Sequence, residues 1–404
     1  MIENRWKYQY LFLFLLSSQV SFGQSDTLQY LPRLSSMDFN QIDLYGSIRS
    51  RLTAYDENVE IQNNGSRIGV ALSSFWNKEK EFGVVGRMEW SVNLVSNDFE
   101  FNLEANNTSG FAQAQKVSTQ NPFGVRLGLV GLDLNQYGKV TIGKQWSVYY
   151  DVTRMTDRFF VFGGSSLGTF VNRTDGGTLG TGRAEKALQY RLDVNNWRIG
   201  TQVQYRGITG NSSQGDSYGL SVLYQPDSLN VRVGAAFNHA QIAKSTAELL
   251  IGASESPQSL AAAISYWEGT RSPSHQSTLY AALAYAWINA AEGVDTDSLT
   301  VVYSAHGLEG VVHYQFYDKF SLISGFNFQF PYDANELISA GFNKAQYILG
   351  LFYCLTAEGY VYLEGIFDDS NDQFGNKGTN VLTLGLRYNF SLAQERSKLL
   401  EYFY

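Results

Sequence analysis

Cysteine is almost missing from this chain, and long apolar runs and charge are scarce. A single cysteine, Cys354, stands among 404 residues, so no intrachain disulfide can form, and it reads as a small strand residue. Beyond the N-terminus no stretch approaches the roughly 18 consecutive apolar residues that a membrane-spanning helix needs. Charged residues make up only 17%, low for a soluble protein. Positive charge is in deficit, 30 basic against 38 acidic residues, which argues against a nucleic-acid partner. Histidine is sparse too: His239, His275, His306 and His313 are all there are. No two of them have metal-ligand spacing, so no metal is predicted. His313 shares a strand face with Glu309 and Gln315 rather than with a serine, which argues against a lipid-facing Ser–His enzyme. No cofactor and no catalytic constellation are expected.

Aromatic residues and glycine are abundant. Aromatics reach 15%, with 26 Tyr and 26 Phe, and glycine numbers 38 against 6 prolines. That balance suits strands and the aromatic girdles of membrane interfaces. The length would serve two or three ordinary domains, or one large barrel. Residues 1–23 read as a secretory signal: Arg5 and Lys7 supply a positive start, Tyr10 to Leu16 an apolar core, and Ser21 to Gly23 a small-residue cleavage site. Removing Glu3, Arg5 and Lys7 leaves 28 basic against 37 acidic groups, a net charge of −9. Residues 24–41 show no periodicity and are expected to be a periplasmic lead-in.

From there the chain alternates. Leu44, Ile48 and Leu52 oppose Tyr45, Ser47, Arg49 and Arg51; Ile68, Val70 and Leu72 oppose Arg67, Gly69 and Ala71. In the clearest segment Phe82, Val84, Met88 and Trp90 oppose Val85, Arg87 and Glu89. Period-two patterning of this kind predicts strands with one apolar face. The same reading turns Val125, Leu127 and Leu129 outward and Arg126 inward. Hairpins are expected around Asn195 and Pro226, a doubtful strand over Leu260 to Trp267, a helical option over Ala247 to Ala253, and further strands to Phe390. Counting the doubtful one gives sixteen. Short turns alternate with long loops, among them Asn97 to Pro122, Asn289 to His306, Tyr332 to Asn343 and Asp369 to Gly378. An even strand number with turns short on one side and long on the other predicts an all-β, transmembrane antiparallel barrel over residues 42–390. Acidic residues assigned to loops include Asp98, Glu100, Glu104, Asp216, Glu292, Asp295, Asp297, Glu336, Asp369 and Asp372.

One connection is far longer than a turn. Strand Lys139 to Gly143 leads into Trp146, Tyr149, Tyr150, Phe159, Phe160 and Phe162, and alternation resumes only at Arg183. A loop this aromatic is not a disordered linker and needs a concave surface to lie on. The inner wall of a wide barrel offers one. Residues 147–182 are therefore expected to fold inward and narrow the interior.

The chain from Leu44 to Phe390 is similar to the general bacterial outer-membrane porins. The likeness is carried by Leu44-Tyr-Gly46, Ser66-Arg-Ile-Gly69, Met88-Glu-Trp90, Arg126-Leu-Gly-Leu-Val-Gly131, Tyr137-Gly-Lys-Val-Thr-Ile-Gly143, Val148-Tyr-Tyr-Asp151, Thr156-Asp157, Phe162-Gly-Gly164 and Gln189-Tyr-Arg191. It is weaker between Ala240 and Gln276. The resemblance implies a homotrimer in outer-membrane lipid, passing ions and small hydrophilic solutes, with the loop Asn97 to Pro122 latching onto a neighbour. It maps the family's basic ladder onto Arg67, Arg126 and Arg183, with Arg49 or Arg51 standing in for a basic residue at Ser47. Two features depart from the pattern. Val161 occupies a loop position where the family commonly has an acid, and residues 391–404 extend past Phe390, the aromatic that would close the last strand.

The candidate constriction thus comprises Arg49, Arg51, Arg67, Arg126 and Arg183, with Arg87 alongside, facing Asp157 and Asp151 of the loop and Glu89 of the wall. Trp146, Tyr150, Phe162, Gly163 and Gly164 are expected to seat the loop. Arginines opposite a carboxylate in a narrow low-dielectric channel set up a transverse field. The plainer reading, that the same arginines only hold the loop down, is compatible with it. A substrate-specific channel for phosphate or sugars and a non-channel adhesin on a barrel are the alternatives.

Overall fold

The computed structural model describes residues 40–76, 82–95, 100–102, 113–115, 123–171, 174–205, 208–209, 212–213, 216–242, 244, 250–269, 278–296, 300–317, 319–336 and 338–392. The expected signal segment, most of the lead-in, the tail after residue 392, most of the segment 97–122 and residues 247–249 lie outside these. Of the helical option over 247–253, residues 250–253 are described and are not helical: Ile251 forms an isolated bridge to Val301. Strands dominate. They are β1 (Asn40–Tyr55), β2 (Asn58–Asn63), β3 (Arg67–Phe75), β4 (Gly83–Val92), β5 (Phe123–Asp133), β6 (Lys139–Trp146), β7 (Arg183–Val194), β8 (Trp197–Gln204) and β9 (Ser217–Tyr224). The series continues with β10 (Val231–Ala240), β11 (Gln258–Glu268), β12 (Leu279–Asp295), β13 (Thr300–Tyr317), β14 (Phe320–Asp333), β15 (Lys344–Cys354), β16 (Gly359–Asp368) and β17 (Val381–Ser391).

From β3 onward each strand pairs antiparallel with the next, and β1 pairs with β17 from Tyr45↔Ser391 to Tyr55↔Val381, which closes the sheet on itself. β2 and β3 both lie along β1, one on each half, and are separated only by Asn64 to Ser66. They count as one position in the wall, giving a closed barrel of sixteen strands. Closure removes the unpaired edges that a lipid environment would not tolerate. Two short pairs, Glu100–Asn102 with Gln113–Gln115 and Ile208–Thr209 with Ser212–Ser213, form separate ribbons.

The alternation read from the sequence separates two faces. On β17, Leu382, Leu384, Leu386 and Tyr388 are exposed while Val381 and Thr383 are buried; on β1, Ile48 and Leu52 are exposed while Tyr45, Ser47, Arg49 and Arg51 are buried. An outer apolar band over a polar inner face is what lipid outside and water inside require.

Three expectations need correction. Leu127 and Leu129 do not face outward. Glu89 pairs with Leu127 but Trp90 pairs with Val125, so Arg126 is an extra residue in a β-bulge, and the parity reverses beyond it. Leu127 is accordingly buried, and Val130 and Leu132 take the outer face. Asn289 to His306 is not a long loop: β12 and β13 run on to Asp295 and back from Thr300, with a register shift between Ile288 and Glu292. Glu292 and Asp295 therefore belong to a strand, and Glu292 is buried where it accepts a hydrogen bond from Gln329 Nε2 at 3.0 Å. Finally, β2 is a strand segment that the alternation did not reveal, because only Val59 and Ile61 among its six residues are apolar.

Candidate pore constriction

The segment from Ser147 to Gly182 begins with one helical turn, α1 (Tyr150–Thr153), and then runs irregularly along the buried face of the wall. Its backbone polar groups cannot pair within a ladder, so buried side chains of the strands satisfy them. Glu364 of β16 accepts the N–H groups of Phe160, Val161 and Phe162 at 3.0, 2.9 and 2.8 Å. Glu309 of β13 accepts the Thr156 hydroxyl and the Ser166 N–H, both at 2.6 Å. Lys344 of β15 donates to the Ser165 carbonyl, and Tyr280 of β12 to that of Met155 at 2.7 Å. On the other side Gln204 and Gln202 of β8 donate to Gly177 and Gly180, and Asn238 of β10 to Leu179. Charge-assisted bonds to a carboxylate are the stronger members of this set.

Apolar contact completes the seat. Tyr149, Val152, Met155, Phe160 and Leu167 pack with Ala261, Ala263, Trp267, Tyr280, Ala284 and Ile288 on β11 and β12. Phe160 stacks on Phe352 at 4.3 Å and meets Tyr362 edge-on at 5.2 Å. Close approach depends on missing side chains in the wall. A Cβ added to Gly307 would lie 1.8 Å from the Ser166 carbonyl oxygen, and one on Gly200 would lie 2.9 Å from Val148.

Four of the charged candidates converge. Glu89 sits at the centre of a basic cluster, 2.9 Å from Arg87, 2.9 Å from Arg126 and 3.8 Å from Arg67. The Tyr45 hydroxyl donates to Glu89 Oε2 at 3.0 Å and accepts from Arg87 Nε at 2.6 Å. Three guanidinium groups share one carboxylate, leaving the cluster net positive. The bulge that overturns the parity of Leu127 is also what lets Arg126 reach Glu89.

The other candidates are dispersed. Arg49 donates to Ser47 Oγ, and Arg51 to Gln62 and Asn64, on the side of the wall nearest Phe160 and Tyr362. Arg183 pairs with Asp175 at 3.3 Å and lies 5.6 Å from the Trp146 ring. Asp157 on the loop accepts the Tyr150 hydroxyl at 2.7 Å, and Tyr150 stacks on Trp146 at 4.1 Å. A Cβ on Gly163 would meet Asp157 Oδ1 at 2.6 Å, and Gly164 adopts a φ of 67°, so both glycines are needed where they stand. Loss of hydration pushes the Asp157 carboxyl above the usual range, while the Tyr150 hydroxyl and the charges of Arg158 and Arg67 draw it back down. Arg67 thus links the wall cluster to the loop acid. Asp151 instead binds Arg191 at 2.8 Å. Phe162 is buried, and Val161, in the position noted above, is half-buried against apolar neighbours.

Several residues of this region escaped the sequence reading. Glu309, Glu364 and Lys344 anchor the loop, and Arg158, Arg191, Arg198, Arg232 and Arg387 add charge to the inner side. The signal was present for the strand residues: Arg387 continues the parity of Thr383, opposite Leu382, Leu384 and Leu386. The partners of Glu364 were not legible, because they lie some 200 residues away in sequence.

A family model described as Gram-negative porin matches residues 12–391. The chain belongs to the Gram-negative porins. Among curated relatives of this porin are outer membrane protein Omp-EA of Erwinia amylovora, 29% identical over 46% of the chain, and outer membrane protein YedS of Escherichia coli, 25% identical over 69%. The matched parts amount to 46% of the length of Omp-EA and 70% of that of YedS. Among solved structures, OmpF of Salmonella typhi in complex with daunomycin superposes with a TM-score of 0.67 at 20% identity, over 87% of this chain and 98% of that one. The trimer form of OmpT from Vibrio cholerae gives 0.60 at 17% identity, over 87% and 100%. An anion-selective porin from Comamonas acidovorans gives 0.59 at 11% identity over the same shares. The porin is thus an outer-membrane protein whose sixteen-stranded barrel is that of its relatives.

Proposed function

We propose that this porin forms a water-filled channel for passive diffusion of ions and small hydrophilic solutes, narrowed by residues 147–182, and that it assembles as a homotrimer. The observation that carries the channel reading is the spread of the loop's attachments. They run from Gln202 and Gln204 on β8, through Glu309 on β13, to Glu364 on β16. A segment tied to strands so far apart around the wall crosses the inner side rather than lying along one edge. The likeness to other porins supports a channel rather than an enzyme, and the trimeric form of OmpT supports the trimer. The wall cluster of Arg67, Arg87, Arg126 and Glu89 on one side and Asp157 on the other is the charged lining we assign to the constriction.

Planar-bilayer recordings with uncharged solutes of increasing size test this. Ohmic conductance with a sharp size cut-off is expected, and deletion of Ser166–Thr181 should raise both conductance and cut-off while the barrel still assembles. Absence of conductance in the wild type would overturn the channel, and unchanged conductance after the deletion would overturn the constriction.

A further inference from the structure

A second concentration of positive charge lies away from Glu89, where the loop meets the β7–β10 side of the wall. Arg191, Arg198 and Arg232 sit close to the ends of β7, β8 and β10 that are joined by the short connections 195–196 and 225–230. Arg154 and Arg158 reach the same place from the loop. Arg158 and Arg232 lie over the rings of Tyr280 and Trp267, which are direct partners across β11 and β12. The charges of Arg154, Arg158 and Arg198 act on Arg232, and Arg154 feels Asp151 as well as Arg198 and Arg191. All five side chains are half-buried.

Part of this charge is paired. Arg191 binds Asp151 at 2.8 Å, Arg198 binds Asp193 at 2.6 Å, and neighbouring Lys139 lies 3.3 Å from Asp133. Arg154, Arg158 and Arg232 differ: among the described residues no carboxylate lies within ion-pair distance of any of them. The close contacts of Arg158 and Arg232 are with neutral groups, while Asp151 and Asp157 act on Arg154 and Arg158 from farther off. The Arg158 guanidinium lies 4.0 Å from the centre of the Tyr280 ring. Arg232 lies 5.9 Å from that of Trp267 and donates to Gln225 Oε1 at 2.7 and 3.1 Å. Both rings are buried in the wall. A guanidinium resting on a ring gains cation–π attraction and keeps its in-plane N–H donors for another partner.

Asp151 and Asp157 offset part of this charge, and the excess gathered in a confined space favours a bound anion. The geometry of planar N–H forks suits the oxygens of a tetrahedral oxyanion, and several positive charges favour a multivalent one. We propose that the short-turn half of the lumen holds a second anion site, built by Arg154, Arg158 and Arg232 and flanked by Arg191 and Arg198, that takes a free multivalent oxyanion of the phosphate class. It rests on the reading of the interior as water-filled. It also separates two tasks: the Glu89 cluster faces the loop acid and sets the field at the constriction, whereas this site holds an anion on the short-turn side.

Calorimetric titration of inorganic pyrophosphate into the purified barrel in detergent tests the site without requiring conduction. The wild type is expected to bind, and Arg158→Ala combined with Arg232→Ala should weaken binding at least about tenfold, the loss expected for removing charge-assisted hydrogen bonds. Arg67→Ala with Arg126→Ala should leave the affinity within about twofold, since those groups serve the other cluster. If the alanine pair fails to assemble, Arg158→Gln with Arg232→Gln keeps side-chain bulk and carries the same expectation. Absence of binding to a conducting wild type, or equal affinity in the wild type and the Arg158/Arg232 variant, would overturn the site and leave the channel standing. Pyrophosphate binding of the expected pattern to a barrel that passes no current would do the reverse.

Discussion

At Glu89 a single carboxylate decides how three arginines present their charge. Its side chain and that of Arg87 are almost wholly buried, while Arg67 and Arg126 remain partly open to the interior. Glu89→Gln removes one negative charge and keeps the shape, so the cluster becomes more positive and Arg87 loses its ionic partner. Anion preference should rise, seen as a shift in reversal potential. Unfolding by denaturant should report a loss of up to about 3 kcal/mol, the lower end for breaking a buried pair. Asp157 makes the pH dependence. Its carboxyl protonates above the ordinary carboxylate value of roughly 4, because docking the loop strips its hydration. In the window between that ordinary value and its raised one, the docked state binds more protons than the undocked state. Docking is therefore favoured as pH falls through the window and weakened as pH rises through it. The same titration removes the negative charge opposite Arg67, so anion preference should increase on acidification, beginning above pH 4. Asp157→Asn should show the acid behaviour throughout. A reversal potential that moves with pH equally in wild type and Asp157→Asn would show that another group is responsible.

Among the elements, the loop is the one whose position the sequence disclosed only in outline. Its length and its aromatic residues pointed to a concave bed, and the period-two faces showed which side of the wall was polar. Those are local signals. The bed itself is made of non-local ones: Glu364, Glu309 and Lys344 come from three different strands, and the glycine at 307 matters only because Ser166 crosses it. The bulge at Arg126 was hidden for a related reason, since an extra residue in β5 is defined by its pairing with β4 rather than by its own sequence. Hydrophobic alternation also failed at the joined ends of β12 and β13, because these are covered on both faces, with Val294, Val301, Tyr303 and Ala305 packing with Ile338 and Phe342, and so carry no period of two. Gly307→Ala tests the bed directly. The added methyl would have to displace the Ser166 carbonyl and with it the contact to Glu309, while β13 keeps its pairing. Larger and noisier single-channel conductance is expected, with unchanged heat-modifiable migration of the barrel. Conductance identical to wild type would show that the wall tolerates the methyl and that Ser166 is not held there.

Over the whole molecule, two kinds of charge compete for the permeating ion. The mature chain is expected to carry a net −9, which would favour cations if it were evenly spread. It is not. Asp369 and Lys377 pair on an exposed connection, and Asp372 is spent on capping its own turn through the N–H groups of Phe374 and Asn376. Exposed charges of this kind are screened beyond about 8–10 Å at physiological salt. Of the acids on the inner face, Glu309 and Glu364 are covered by the loop and already bound by its donors. What we place near the solute path is Arg67, Arg87 and Arg126 around one Glu89, Asp157 with its raised carboxyl, and the arginines of the β7–β10 side, two of which pair with Asp151 and Asp193. Within a narrow low-dielectric passage the nearby charges outweigh the distant ones. Anion preference is therefore expected despite the acidic composition. In a salt gradient the wild-type reversal potential should have the sign of chloride permeation, and Arg67→Ala with Arg126→Ala should move it toward cations. Cation preference in the wild type, unaltered by that double substitution, would mean that total charge rather than the charge beside the loop governs permeation.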